Sequence, residues 1–381
     1  MAEQNSIIHY PVDNGDMTLI QSGSKGLGKT ILVDMKVRST DGNSSIYDIP
    51  SDLYKHLPIN SNGAPYIDLF VLTHPDDDHC LGFKKYMHTG DPDNWKSPDD
   101  DEKPKIILNE IWFSEICTKR VSKDLRLSDD AKAFRTEAKR RRALYEGKLD
   151  GYANAGNQLK VIGIEEESSD TKENWYLDGM TFKRGEEIAV GNAKALILGP
   201  FGDEIFGEEH SKDKNGSSVI IRWTVNNTHI LLGGDATAHI WKHIWNERKD
   251  EVSQLQYDLM VAPHHCSWRS LSYESASKNT NPKVLPEALA ALSQAHNGAY
   301  IVSSSEKIKA DKPDPPSHLA KNEYLKILNN QSSKFICLAD TGTNSKPPKP
   351  RKFTLSAGVV LAAIPITTSS FPHSKKPIRH G

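Results

Sequence analysis

Hydrophobic residues along this chain come in short runs rich in β-branched and aromatic side chains, separated by polar turns, and several of these runs stop at acids or histidines. Met17-Thr18-Leu19-Ile20, Ile67-Asp68-Leu69-Phe70-Val71-Leu72-Thr73, Leu259-Met260-Val261-Ala262 and Tyr300 to Ser305 are too short for ordinary helices and read as buried strands. Ser217 to Thr224 and Thr228 to Leu232 read as a hairpin turning at Val225-Asn226-Asn227. Leu355 to Ile366, interrupted by Pro365, reads as one more buried strand near the C-terminus. Helical patterning covers Lys119 to Lys148 and Ala236 to Glu247. Strands alternating with helices, with ligand-type residues at strand ends, predict an α/β sandwich: two mixed sheets face to face, helices outside, and a site at one sheet edge. A single domain over 1–370 is expected, with a charged helical insertion near 105–165 and a tail at 371–381; there are no internal repeats.

Composition narrows the class. At 381 residues and 37% hydrophobic content the chain can bury one large core, and no apolar run reaches the roughly 18 residues that span a bilayer, so no membrane partner is expected. The net charge of −2 hides segregation: 91–102 is acidic, the helix around Lys139-Arg140-Arg141-Arg142 is strongly basic, and 346–352 is a Pro/Lys linker. A basic amphipathic helix is either a solvated face or a surface for an anionic partner, nucleic acid or nucleotide. Cys80, Cys117, Cys266 and Cys337 form no CxxC pair, which points to reduced thiols and a cytoplasmic location.

The densest chemistry is His74-Pro75-Asp76-Asp77-Asp78-His79, five potential metal ligands in six residues directly after a predicted strand. A strand that ends by projecting a rigid loop of His and Asp is what a hydrolytic metal needs, and His-plus-carboxylate ligation suits Zn or Mn. Leu231-Leu232-Gly233-Gly234-Asp235 repeats the pattern of an apolar run ending in an acid. Glycines there let the backbone approach a ligand closely, and Asp235 reads as a carboxylate bridging two cations or as the N-cap of the helix that follows. Val261-Ala262-Pro263-His264-His265 ends a third strand; neighbours on an extended backbone point in opposite directions, so one of the pair is expected to bind metal, His265, with His264 left to contact the substrate or to support a metal ligand.

The pattern His-x-Asp-x-Asp-His at 74–79 resembles the metallo-β-lactamase superfamily, in which the usual motif carries a second His where Asp76 stands. The variant is similar to the branch typified by the soluble domain of the competence protein ComEC. Asp13-Asn14-Gly15-Asp16, Asn215 to Ile220 leading to Gly233-Gly234-Asp235, and Pro263-His264-His265-Cys266-Ser267 fall in the order that branch requires. The resemblance covers most of residues 8–340. It implies an αββα sandwich, one or two divalent ions held by His74, Asp76, Asp78, His79, Asp235 and His265, and hydrolysis of a phosphodiester in nucleic acid or nucleotide, as in a nuclease of a bacterial defence system. A small-molecule ester, lactone or phosphoester hydrolase and a non-catalytic scaffold are the alternatives.

The chain departs from the family in two respects. Cys266 stands where the family has Gly, and Leu81-Gly82 replaces a Gly-Gly pair, with Cys80 in front; both cysteines follow a presumed ligand and read as small buried hydrophobes or zinc ligands. The third His that the family supplies to the first metal is missing, since only His88, His210 and His229 lie between the two acidic motifs. Asp77 or His264 is expected to move the proton, and His318, in Pro315-Pro316-Ser317-His318, corresponds to a family His-Pro pair near the leaving group.

Overall fold

A computed structural model of the chain describes residues 5–23, 28–40, 43–99, 102–115, 127–149, 151–163, 177–201, 218–276, 279, 281–311, 313–343 and 346–362. With strands numbered in chain order, the first sheet runs from edge to edge through Val359–Ala362 (β17), Arg351–Ser356 (β16), Ser6–His9 (β1), Thr18–Ser22 (β2), Lys29–Val33 (β3), Tyr66–Val71 (β5), Ile107–Phe113 (β6), Gln158–Gly163 (β7) and Thr181–Lys183 (β8). A two-residue strand, Met35–Lys36 (β4), bridges to Cys80 and Leu81. The second sheet runs through Phe335–Cys337 (β15), Ala295–Ser303 (β14), Tyr257–Val261 (β13), Thr228–Leu232 (β12), Ile220–Val225 (β11), Ala193–Gly199 (β10) and Glu187–Val190 (β9). Each sheet is antiparallel in one half and parallel in the other: β3, β5, β6, β7 and β8 in the first, β12 to β15 in the second. Parallel neighbours deliver their C-terminal ends to one edge, which is where all the candidate ligands fall.

Burial separates four layers. Along β5, Leu69 and Val71 turn toward the second sheet while Phe70 and Leu72 turn toward the outer helices, the two-residue period of a strand covered on both faces. Between the sheets Ile31, Leu69, Val71 and Trp112 meet Ile197, Ile221, Trp223 and Leu259, and the rings of Trp112 and Trp223 stack with centroids 6.1 Å apart. The outer helices are Ile49–Leu53 (α1), Asp77–Cys80 (α2), Phe83–Tyr86 (α3) and Asp129–Glu146 (α4) on the first sheet, and Ala238–Arg248 (α5), Pro286–Leu292 (α6) and His318–Ile327 (α7) on the second. The two-mixed-sheet αββα sandwich is therefore as the sequence predicts. Each large apolar side chain fully buried in it contributes about 1.5–3 kcal/mol.

The hairpin between β11 and β12 turns on Asn226 and Asn227, both at positive φ (49° and 59°), which suits a tight two-residue turn. Leu355 to Ile366 is not one strand: Ala357 (φ 47°) and Gly358 (φ 82°) fold it into the β16–β17 hairpin, and 363–366 lie outside the described residues. The Pro/Lys stretch ends earlier than its composition suggests, because Arg351 and Lys352 already pair with β1. The charged stretch near 105–165 supplies β6, β7 and, between them, α4, whose first turn is capped by Ser128 accepting from the Ala131 N–H; 119–126 and the tail 371–381 lie outside the described residues. Among the described residues no helix is long and apolar enough to cross a membrane.

Candidate metal centre

β5 stops at Val71, and the chain then turns sharply into α2. Asp76, extended (φ −75°, ψ 154°), precedes that helix, and its carbonyl accepts from the His79 N–H at 2.9 Å. The helical turn brings His79 back over His74, ring centroids 3.9 Å apart, both histidines buried. Their Nδ1 atoms face fixed partners. His79 Nδ1 lies 2.8 Å from Asp34 Oδ2 and His74 Nδ1 lies 3.1 Å from Thr73 Oγ1, while Thr73 donates its own hydroxyl to Asp34 at 2.6 Å. With each Nδ1–H donated to these oxygens, Nε2 is the ring atom that both histidines turn to the interior. Asp34 also accepts from the Thr73 N–H at 2.7 Å and is 1% exposed. Sequence reasoning missed it, although it stands where Asp235 does, immediately after an apolar strand.

β12 delivers Asp235. A Cβ on Gly233 would sit 2.6 Å from Trp241, and Gly234, at φ 49°, is packed between Thr73 and Ser218, so only glycines let these ligand loops touch. Helix α5 begins beyond Asp235, with Thr237 at its N-cap, which frees the carboxylate from the capping role. Asp235 is 4% exposed, and its two oxygens face different partners. Oδ2 lies 3.6 Å from both His74 Nε2 and His264 Nε2; Oδ1 lies 3.2 Å from His79 Nε2 and 3.4 Å from His265 Nε2.

The expectation that only one of His264 and His265 reaches the site is thereby corrected. It assumed an extended backbone, but His264, His265 and Cys266 have φ of 51°, 54° and 65°. Successive left-handed residues do not alternate like a strand, so both rings turn toward Asp235 on opposite sides of its carboxylate.

His265 Nε2 is also 3.2 Å from Asp78 Oδ2, and Asp78 Oδ1 is 4.0 Å from His79 Nε2. The loop before β2 closes the far side: the Gly15 N–H points at His265 Nδ1 (3.0 Å), Asp16 Oδ1 is 3.7 Å from the same nitrogen, and a Cβ on Gly15 would meet the Asp78 carbonyl at 2.6 Å. Asp16, His79, Asp235 and His265 form one group able to share an ion, and His74, Asp78 and His79 another. Asp16 lay inside a motif read from sequence yet was not foreseen as a ligand.

The three longer spacings to Asp235, 3.4–3.6 Å, fit a shared metal better than hydrogen bonds. N–H···O bonds cluster at 2.7–3.2 Å, whereas two donors sharing a tetrahedral ion at about 2.0–2.2 Å are about 3.3–3.6 Å apart. The Nε2 atoms of His74, His79 and His265 and Oδ1 of Asp235 are buried with no hydrogen-bond partner, a need that bound dications would satisfy. Burial pulls His79 and His265 down, but the carboxylates beside them, Asp235 foremost, hold both well above the usual imidazole range, so an arriving dication displaces protons there. Burial pushes the Asp235 carboxyl up, but the surrounding histidines outweigh it and hold it well below the usual range. Burial and the neighbouring His79 lower His74, keeping it neutral as a ligand must be.

The remaining expected site residues are distributed as follows. Asp76 acts on His74 through its charge. Asp77 is exposed in the first turn of α2 and pairs with none of the cluster, and His318 opens α7 without an ion pair to it. The cysteines are not arranged as ligands: Cys80 Sγ points at the Pro75 and Asp76 carbonyls and Cys266 Sγ at the Ser317 carbonyl, and burial pushes the Cys80 thiol up to about 12. His88 bonds the Asp91 carbonyl and His229 lies in β12 beside Asp258, so neither completes the first metal. His210 and Cys117 lie outside the described residues.

No protein-family model and no curated protein matches the chain. Solved structures do. CmlA, a diiron β-hydroxylase from Streptomyces venezuelae, matches at TM-score 0.42 and 11% identity over 93% of this chain, which spans 55% of that protein. The metallo-β-lactamase fold protein YhfI from Bacillus subtilis matches at 0.39 and 11%, over 91% of this chain and 98% of that one. Unliganded yeast PDE1 matches at 0.41 and 13%, over 88% and 96%. None of the three is described as a ComEC-like protein.

Proposed function

We propose that this chain is a metal-dependent hydrolase whose substrate is a phosphodiester, in a nucleotide or nucleic acid. The observation that carries the reading is Asp235, each of whose oxygens faces a pair of histidine Nε2 atoms: His74 and His264 on one side, His79 and His265 on the other. In this reading His74, Asp76, His264 and Oδ2 of Asp235 hold one divalent ion, and Asp16, Asp78, His79, His265 and Oδ1 hold the second. His264 thus takes the place of the missing third histidine. Bound Zn or Mn supplies a water of lowered pKa and positive charge opposite the scissile group. Asp34 and Thr73 keep the His79 and His74 rings aimed, and Asp77, exposed beside the cluster, passes protons to solvent. A donor set rich in carboxylates tolerates ions that also bind phosphate oxygens, which favours phosphodiester over β-lactam chemistry. Reduced buried thiols at Cys80, Cys266 and Cys337 suit a cytoplasmic enzyme.

One observation favours the second reading, a hydrolase of a small ester, lactone or phosphoester. The basic run expected to track a polymer is engaged within the fold. Arg140 bonds Glu137 and Asn157, Arg141 bonds Glu137 and the Leu108 and Gln158 carbonyls, and Arg142 bonds Glu146. Metal analysis of the purified protein, combined with hydrolysis of bis-p-nitrophenyl phosphate, single-stranded DNA and a lactone, separates the readings. Turnover of the diester that chelator abolishes supports the first, and turnover of the lactone alone supports the second. A protein that retains metal and turns over none of them leaves the scaffold.

A further inference from the structure

The loop that carries Asp16 belongs to neither sheet, and its backbone is fixed from outside. Asp13 (φ 60°) and Gly15 (φ 150°) give it an irregular path between β1 and β2. The peptide joining Gly15 to Asp16 is held at both ends: buried Ser304 donates its Oγ–H to the Gly15 carbonyl at 2.5 Å, and the Asp16 N–H donates to the Asp78 carbonyl at 3.2 Å. One residue earlier, the half-buried Asn14 reaches the backbone at both ends of the 306–315 segment. Its Oδ1 accepts from the Glu306 N–H at 3.0 Å, and its Nδ2 donates to the Pro315 carbonyl at 3.1 Å. The segment that follows β14 also grips the second histidine loop: Asp314 Oδ1 accepts from the Trp268 N–H at 3.1 Å, and the Ser317 N–H donates to the Cys266 carbonyl at 2.9 Å. One strap, 304–317, thus touches both the loop of Asp16 and the loop of His265.

We propose that Asn14 and Ser304 are positioning residues for the second ion, acting through Asp16. Oδ1 of Asp16 is buried without a hydrogen-bond partner, so the carboxylate takes its place from the main chain behind it. A ligand on an irregular loop loses affinity to whatever freedom it must give up on binding, and contacts that remove this freedom beforehand return it. Ser304 fixes the peptide directly before Asp16, and Asn14 ties the loop to a strap that the histidine loop also holds. Both side chains make hydrogen bonds to backbone and lie outside the hydrophobic clusters, so their loss is felt at the ion rather than in the core. The inference rests on the two-ion hydrolase reading and concerns one ion alone, because Asp16 is not among the groups assigned to the first.

The test measures metal affinity rather than turnover. Full-length protein, stripped with chelator, is titrated calorimetrically with Zn. Asn14→Ala is expected to weaken the second ion about 10- to 100-fold and to leave the first unchanged, and Asn14→Gln, which carries the same amide on a longer side chain, to recover part of the loss. Ser304→Ala is expected to weaken the same ion about 2- to 10-fold. Repeating Asn14→Ala in two backgrounds identifies the position: affinity falls in His264→Ala, which keeps the second ion, and holds in His265→Ala, which keeps the first. If Asn14→Ala does not fold, Ser304→Ala and Asn14→Gln decide, and wild-type affinity for the second ion in Ser304→Ala overturns the proposal. Wild-type affinities in both alanine variants, or equal weakening of both ions, also overturn it and leave the two-ion reading standing. A wild-type protein that binds fewer than two ions defeats that reading, and the proposal with it.

Discussion

The two histidine-bearing loops face each other across Asp235 and are built in opposite ways. The loop of 74–79 leaves β5 in regular geometry and enters a helical turn, and its rings are aimed by side chains: Asp34 on His79, Thr73 on His74. The loop of 263–266 has three consecutive residues at positive φ, and the ring of His265 is met by a backbone N–H, that of Gly15. In the first, Nδ1 of each ring is anchored, so Nε2 is the atom already turned to the ion position. In the second, an N–H aimed at Nδ1 places the proton of a neutral ring on Nε2, facing Asp78 and Asp235. Ligation by His265 requires that proton to leave and Nδ1–H to find an acceptor, and Asp16 Oδ1, buried and without a partner at 3.7 Å, is at hand. One half of the site is preorganised by neighbouring side chains, and the other completes itself when the metal binds.

That difference also decides what was legible. Residue types, their order and the strands that end in them were readable, because hydrophobic runs and acid or histidine clusters are local patterns: His74, Asp78, His79, Asp235 and His265 converge as expected. Side-chain direction at 264–266 was not, since nothing in the residues Pro263-His264-His265-Cys266 announces left-handed backbone where the family has glycine only at the last position. Asp34 and Asp16 were hidden for another reason. Each comes from a strand or loop distant in sequence, and only the pairing of β3 with β5 and the packing of Gly15 on Asp78 bring them to the site. In the basic helix, composition cannot show that Glu137, 1% exposed, pairs with both Arg140 and Arg141.

The largest effect is expected where the two halves meet. Asp235→Ala removes the one group among the described residues that faces all four histidines, so both ions should be lost and hydrolysis should fall to the uncatalysed background while the far-ultraviolet circular dichroism stays native. Asp78→Ala should abolish turnover too, but by emptying only the His265 side. Retention of two ions per chain by Asp235→Ala would dismantle the shared-carboxylate geometry.

A second pair of variants, both in the 263–266 loop, separates the two ions directly. His264→Ala and His265→Ala should each bind one ion rather than two, and in opposite positions, so that the double variant binds none; metal stoichiometry by mass spectrometry reads this without any substrate. A His264→Ala protein that still carries two ions would return His264 to the substrate side and restore the original expectation for that pair.

Preorganisation of the first half is tested by Asp34→Asn. The amide keeps the shape but no longer anchors Nδ1–H as a carboxylate does, and loss of such a partner typically costs about 10- to 100-fold in metal affinity. Asp34 aims His79, which is assigned to the same ion as Asp16, so the same exchange at Asp16 should weaken that ion too, with the ion held by His74 and His264 unchanged. Equal losses at both positions from either variant would mean that the halves do not load separately.

The smallest effect, and the sharpest test of the second loop, is Cys266→Gly. Cys266 holds φ at 65° with its side chain fully buried against Ser317, so two terms oppose each other. Glycine removes a left-handed strain of about 1–2 kcal/mol, and the lost thiol gives up roughly 1–2 kcal/mol of buried contact. Stability measured by urea unfolding should therefore change by no more than about 1 kcal/mol in either direction. Metal content should not change at all, because Cys266 Sγ faces a backbone carbonyl on the side of α7 rather than the cluster. Loss of an ion in this variant would make the thiol a ligand and would mean that the loop at 263–266 closes on the metal in a different backbone conformation.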